Sequence, residues 1–191
     1  MAAVFLEEGF APRLRSLGVK DSKRLADSTL FRLEEALRQI CPHELVRISP
    51  QRYNELHAKM RNLNHLLAWA HARALENLLA RVEAKLVISD QFGDERFLRS
   101  ALMARGRAVE LRQMVRAEED LAVAAASVLA RAAFLRSLRR LSEEIAIPLP
   151  KGATHVLPAA RLVLKKGGPE LLARVAKVHF KTTKQLLAAG D

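Results

Sequence analysis

Two acidic residues, Asp90 and Asp94, follow an apolar run, Leu86-Val87-Ile88, and lie four positions apart. A carboxylate at the carboxyl end of a buried strand, with a second one close behind it, commonly holds a divalent cation against phosphate, because the strand is rigid and the loop reaches outward. The same spacing also suits an ordinary loop in which Asp94 caps a helix beginning at Glu95. Spacing alone leaves both interpretations open.

The composition is that of a folded, basic protein. The chain has 191 residues, of which 50% are hydrophobic and 28% charged, and its net charge is +11. These values predict a single domain, residues 1–191, with a sizeable core. The positive charge predicts a polyanionic partner, most often nucleic acid; the plainer interpretation is that it serves solubility alone.

Cysteine and histidine usage argue against disulfides and zinc. Cys41 is the single cysteine, so no intrachain disulfide is possible and we expect no disulfide partner. His65 and His71 are six positions apart and lie on different helical faces.

The most apolar stretch, Leu121 to Leu135, is interrupted by Arg131 and is shorter than the roughly 20 residues of a membrane span. We therefore expect a cytoplasmic monomer that does not contact a membrane.

Apolar periodicity predicts strands alternating with helices, which is typical of an α/β domain. The predicted strands cover about 2–8, 43–48, 85–89 and 108–115. The main predicted helices cover about 28–40, 50–60, 63–82, 94–105 and 118–145. In the long helix from Leu63, the apolar stripe predicted to face the core contains Leu63, Leu67, Ala70, Ala74 and Leu78.

Seven short motifs occur in order along nearly the whole chain. They are Gly18-Val19-Lys20-Asp21-Ser22-Lys23, Asn62-Leu63-Asn64, Ile88-Ser89-Asp90-Gln91-Phe92, Arg116-Ala117-Glu118, the run from Ala122 to Arg131, Pro150-Lys151-Gly152-Ala153 and His179-Phe180-Lys181-Thr182-Thr183. In this combination the chain resembles the type 2 ribonuclease H family, and within it ribonuclease HIII. The resemblance implies a ribonuclease H-like mixed sheet flanked by helices. It also implies an endonuclease that cuts the RNA strand of an RNA–DNA hybrid with Mg²⁺ or Mn²⁺.

The resemblance assigns metal ligands and catalytic residues one by one. Asp90 matches the third acidic ligand of the family's four-carboxylate site. Asp94 matches the fourth, where the HIII pattern normally has Glu. The HII pattern instead has an Asp at the position of Ala117, and Glu118 beside it is the alternative fourth ligand.

The resemblance also implies contacts with the hybrid. The predicted substrate-binding residues are Ser22, Lys23, Asn64, Lys151, His179, Lys181 and Thr182. Each motif has a plainer interpretation: an approach turn for Ser22 and Lys23, a surface amide for Asn64, and a helix cap for the tail from His179.

One family feature is absent from this sequence. Members carry an Asp-Glu pair and a Gly-Lys-Gly or Gly-Arg-Gly turn just upstream of a strand like Ala2 to Glu8. The first, central strand of the fold would then be missing from this chain, and we expect an N-terminally truncated fragment with impaired activity. Two alternatives remain: a non-catalytic module that binds hybrids or double strands, and another nuclease of ribonuclease H-like fold with acidic residues elsewhere.

Overall fold

Short strands alternate with helices in the computed structural model, which describes residues 1–19, 22, 25–152 and 155–188. The strands are β1 (Ala2–Val4), β2 (His43–Leu45), β3 (Leu86–Asp90) and β4 (Glu110–Met114). The helices are α1 (Ala11–Ser16), α2 (Asp27–Ile40), α3 (Pro50–Met60), α4 (Leu63–Leu79), α5 (Glu95–Ala101), α6 (Ala104–Arg107), α7 (Leu121–Ile145), α8 (Val156–Val175) and α9 (Lys181–Ala188). A short 3₁₀ helix, Ala117–Glu119, precedes α7.

The strand pairing is mixed, which confirms the predicted α/β class. β1 and β2 are antiparallel, with Val4 opposite His43. β3 and β4 are parallel, with Asp90 opposite Met114. Over the described residues the strands form two two-stranded sheets, whereas the sequence predicted one mixed sheet. No ladder of hydrogen bonds joins β1 to β3 there, so each of these strands has one edge without a strand partner.

Helix α4 supports both sheets. The cluster under β1 contains Ala3, Ala74 and Leu78, and the cluster under β3 and β4 contains Ala72, Val87, Leu98, Leu102 and Leu111. Leu75 packs against both clusters. The predicted stripe is partly wrong, because Leu66 is buried while Leu63 and Leu67 are only half-buried. Ala72 and Ala74 are small, so the sheets can pack closely against the faces of α4 that carry them, and these faces are buried.

The chain divides into two compact units. Unit 1 is Met1–Arg47 with Asn62–Ala133, and unit 2 is Ile48–Arg61 with Phe134–Asp191. Unit 1 contains 18 Lys and Arg against 16 Asp and Glu, a net charge of +2. Unit 2 contains 14 against 5, a net charge of +9. The positive charge of the protein is therefore concentrated in unit 2. The single-domain prediction remains a prediction.

Helix α7 begins where Asp120 accepts hydrogen bonds from the backbone N–H groups of Ala122 and Val123, at 2.9 and 3.2 Å. Its length and composition alone would allow it to cross a membrane. Its buried residues are Ala124, Ala125, Val128, Leu129, Ala132, Leu135 and Ile145. A helix that contributes these side chains to the interior is a core helix of the fold.

Candidate active site

Asp90 is the last residue of β3, and its side chain is exposed. The strand is anchored beneath it because Val87 and Ser89 are only 9% and 7% exposed. The parallel ladder continues one residue further, since the N–H of Gln91 donates to the Met114 carbonyl at 3.0 Å. The N–H of Ala117 lies 3.4 Å from Asp90 Oδ1 and donates to it. The structure thus places one carboxylate at a rigid strand end, as the sequence predicted.

A histidine that the sequence analysis did not assign to the site lies close to Asp90. The ring of His71, on α4, stacks on Phe92 with centroids 5.0 Å apart and planes 5° apart. Burial is the largest cause that lowers the pKa of His71 to about 4; the positive amino group of Met1 also lowers it, and the negative charge of Asp90 acts in the opposite direction. His71 is therefore neutral at physiological pH and does not cancel the charge of Asp90.

Asp94 is engaged by a neighbour in the same loop. Its Oδ1 accepts the Arg96 N–H at 2.9 Å and so caps α5. The Arg96 guanidinium also donates to both carboxylate oxygens, at 2.7 to 3.1 Å. These hydrogen bonds lower the pKa of Asp94 to about 2. Asp94 is exposed, fully ionised at neutral pH and paired with a cation, so holding a metal requires Arg96 to move aside.

Asn64 lies directly against the loop that links the two aspartates. A methyl group added at Gly93 would lie 3.2 Å from Asn64 Nδ2, so the backbone of this loop approaches Asn64 closely. The start of α4 is fixed by Asn62, whose Oδ1 accepts the N–H of Asn64 at 2.8 Å. Asn64 is thus brought close to the loop of Asp90 and Asp94.

Glu118 lies in the 3₁₀ helix next to Ala117, whose N–H contacts Asp90. Its side chain is half-buried. The position keeps Glu118 in the same part of unit 1 as Asp90, so the fourth-ligand alternative remains a prediction.

Ser22 is buried, with 5% of its surface exposed. Its hydroxyl accepts a hydrogen bond from Ser127 Oγ at 2.7 Å, and its carbonyl accepts one from the Arg131 guanidinium. In this geometry Ser22 is bound to α7, and contact with phosphate would require its hydroxyl to become exposed. Lys23, predicted to contact phosphate beside it, lies outside the described residues.

The other predicted substrate contacts are in unit 2. Lys151 is exposed in the connection from α7 to α8, and Lys181 and Thr182 are exposed in the first turn of α9. His179 is half-buried, and its ring stacks on that of His57 with centroids 4.2 Å apart. Burial is the largest cause that lowers the pKa of His179, and the charges of His57, Lys177 and Lys184 act in the same direction.

The fit to a metal ion is partial. Carboxylate oxygens are the donors that Mg²⁺ and Mn²⁺ prefer, and Asp90 presents one at an exposed strand end. Within the described part of the chain, however, no three His, Cys, Asp or Glu side chains come together as a metal site. The described residues therefore do not form a complete metal site by themselves.

Sequence reasoning missed the neighbours that shape the site. Arg96 could have been found from its position two residues after a predicted cap, within reach of the Asp94 carboxylate. His71 and the Ala117 N–H had no such signal, because their contacts join segments that are distant in the sequence.

Several known proteins are similar to this chain over most of its length. The family model described as Ribonuclease HII matches residues 1–183. Ribonuclease HIII from Protochlamydia amoebophila is 45% identical over 188 residues, which is 98% of this chain and 62% of that protein. Ribonuclease HIII from Chlamydia pneumoniae is 44% identical over 167 residues, 86% of this chain and 56% of that protein. The chain thus spans about 60% of the length of these curated relatives.

Solved structures show the same relationship. A crystal structure of Bst-RNase HIII in complex with Mn²⁺ matches with a TM-score of 0.88 and 30% identity, covering 100% of this chain and 64% of that one. The crystal structure of Aquifex aeolicus RNase H3 matches with a TM-score of 0.75 and 28% identity, covering 94% and 65%. Sequence and fold agree along nearly the whole chain, which confirms the predicted resemblance. This chain belongs to the ribonuclease HII family, and the relatives described above are ribonucleases HIII.

Proposed function

We propose that this chain is the catalytic part of a type 2 ribonuclease H that hydrolyses the RNA strand of RNA–DNA hybrids with Mg²⁺ or Mn²⁺. The observation that carries the proposal is the exposed carboxylate of Asp90 at the end of β3, held beside the loop that contains Asp94. A divalent cation at this strand end would stabilise negative charge on the scissile phosphate and activate the attacking water. We place this activity in the cytoplasm.

Asp90 and Asp94 are the proposed cation ligands on this chain, with Glu118 as the alternative to Asp94. Asp90 is ready for this role because its side chain is exposed while β3 is fixed from below. Asp94 can bind the cation after its carboxylate releases the Arg96 guanidinium. Such an exchange is reasonable at an exposed position, where an ion pair contributes little stability.

The remaining ligands are proposed to come from a strand upstream of β1. β1 and β3 pack against the same helix, α4, and are not joined to each other by a ladder. A strand placed between them would supply backbone partners to both edges and unite the two sheets. An Asp-Glu pair on that strand would stand beside Asp90. The curated relatives are longer than this chain, whose matches cover 62% and 56% of them.

The hybrid is proposed to lie against the basic residues of unit 2. That unit carries a net charge of +9, and Lys151, Lys181 and Thr182 are exposed on it. Lysine and threonine are side chains that commonly contact phosphate oxygens. Asn64 and Lys23 in unit 1 are proposed as further contacts.

A non-catalytic module that binds hybrids or double strands is the second candidate. Two observations favour it: no three His, Cys, Asp or Glu side chains come together among the described residues, and unit 2 is strongly basic. The test that separates the candidates uses a labelled RNA strand paired with DNA. We expect cleavage when Mg²⁺ or Mn²⁺ is supplied to the chain joined to an added upstream strand with an Asp-Glu pair, none in EDTA, and none of unpaired RNA. Binding without any metal-dependent cleavage would favour the second candidate.

Binding should depend steeply on salt, because each phosphate contact releases counterions. Lys23→Ala, and separately Lys181→Ala, should each flatten the slope of log affinity against log salt concentration by about 0.9, the duplex DNA value. Lys85→Ala is the matched control, since Lys85 is exposed just before β3, at the opposite end of the strand from Asp90. Fluorescence anisotropy with a labelled hybrid measures the slope. An unchanged slope in either variant removes that lysine from the interface.

A further inference from the structure

Asn54, on α3, binds three backbone groups at the end of α8 and in the segment that connects α8 to α9. Its Nδ2 donates to the carbonyls of Ala173 and Ala176, both at 2.9 Å. Its Oδ1 accepts the N–H of Val178 at 3.1 Å. Carbonyl oxygens only accept, so the amide has one orientation that satisfies all three bonds. No other side chain of this size offers two donors and an acceptor in this arrangement.

These bonds fix how the chain leaves α8. The last carbonyls of a helix have no partner within the helix, and α8 ends at Val175. Asn54 supplies partners to Ala173 and Ala176 from a helix that lies 119 to 122 residues earlier in the chain. The direction of the segment after Ala176 therefore depends on one side chain of α3.

Aromatic rings on α3 hold the next part of the same segment. His179 stacks on His57 with centroids 4.2 Å apart, and Tyr53 lies 5.5 Å from the His179 ring. Tyr53 is 4% exposed, so this contact is part of the interior of unit 2. The carbonyl of Phe180, next to His179, then accepts the N–H groups of Thr183 and Lys184 at 3.1 Å. The first turn of α9 thus begins at residues, His179 and Phe180, whose position depends on contacts with α3.

That first turn presents exposed Lys181 and Thr182 in the more basic of the two units. We propose that Asn54 is a positioning residue that sets the place of α9 and so presents Lys181 and Thr182 to the phosphate backbone of an RNA–DNA hybrid. The inference deepens, and rests on, the proposed function. Asn54 itself contacts protein backbone and not the nucleic acid.

The experiment compares Asn54→Asp with Gln51→Glu. Asn54→Asp keeps the shape of the side chain. It replaces the Nδ2 group, which donates to the carbonyls of Ala173 and Ala176, by a carboxylate oxygen that cannot donate. Gln51 is exposed on the same helix, so Gln51→Glu controls for the added negative charge. We expect Asn54→Asp to weaken hybrid binding by about tenfold, and Gln51→Glu by less than about twofold. Asn54→Ser, which removes the two amide donors without adding charge and leaves only a shorter hydroxyl, gives a second variant should the aspartate variant fold poorly.

Two readouts separate positioning from general destabilisation. In a double-mutant cycle, Lys181→Ala should weaken hybrid binding by about tenfold in the unsubstituted chain, but by less than about twofold in the Asn54→Ser background. Hydrogen exchange of the α9 amides should accelerate by about tenfold in Asn54→Ser, while that of α4 stays unchanged. Any of three results would overturn the inference. Hybrid binding could be unchanged in the Asn54 variants, or the effects of Asn54→Ser and Lys181→Ala on affinity could multiply independently. Hydrogen exchange of the α9 amides could also be unchanged in Asn54→Ser. Failure of the unsubstituted chain to bind a hybrid would instead defeat the proposed function.

Discussion

Asp90→Asn is expected to abolish cleavage, lowering kcat by roughly a thousandfold or more, in a form of the protein that includes an upstream strand with an Asp-Glu pair. Asparagine keeps the shape of the side chain and its contact with the Ala117 N–H, but loses the charge that would hold a cation. The defect should therefore fall on turnover, while the dissociation constant for the hybrid, measured without cleavage in Ca²⁺, changes little.

The fourth ligand is tested by two further variants. Asp94→Asn should reduce kcat similarly, and because asparagine caps helices about as well as aspartate, the loss cannot be ascribed to the start of α5. Glu118→Gln should be much milder. Single-turnover cleavage of a labelled hybrid measures all three variants. The opposite pattern, in which Glu118→Gln stops turnover and Asp94→Asn does not, would reduce Asp94 to a helix cap and reassign the fourth carboxylate.

Local signals in the sequence predicted the elements that carry the site. Helix α3 has the predicted bounds, Pro50–Met60, because Ser49 caps it and Pro50 favours the first helical position. The predicted bounds of β3, 85–89, are within one residue of the observed Leu86–Asp90 at each end. A short apolar run followed by a polar loop leaves few other positions for a strand. These features depend on neighbours in the sequence and could therefore be found without the structure.

Contacts between distant segments could not be predicted in the same way. Asn54 is a polar residue within an amphipathic helix, and nothing local indicates that its partners are the carbonyls of Ala173 and Ala176. The phosphate contact of Ser22 was predicted from the family resemblance and stays a prediction, whereas its hydrogen bond with Ser127 of α7, 105 residues away, had no signal in the sequence.

The polypeptide 1–191 by itself is expected to show little or no cleavage of a hybrid, and joining an upstream strand with an Asp-Glu pair should raise the rate by orders of magnitude. Two cations about 4 Å apart need more ligands than Asp90 and Asp94 provide. No three suitable side chains come together within the part of the chain that the structure describes. The added strand would also pair with the edges of β1 and β3, so the midpoint of thermal unfolding should rise.

A matched control separates the two contributions of that strand. The same upstream strand with both acids replaced by their amides should raise the thermal midpoint equally, because its backbone bonds are unchanged, yet leave the rate at the level of 1–191. Metal-dependent cleavage by 1–191 at a rate equal to that of the joined form would show that Asp90 and its neighbours suffice. If instead the amide strand restored cleavage as fully as the acidic one, the strand would act by completing the sheet, and the metal ligands would have to be sought among the carboxylates of this chain.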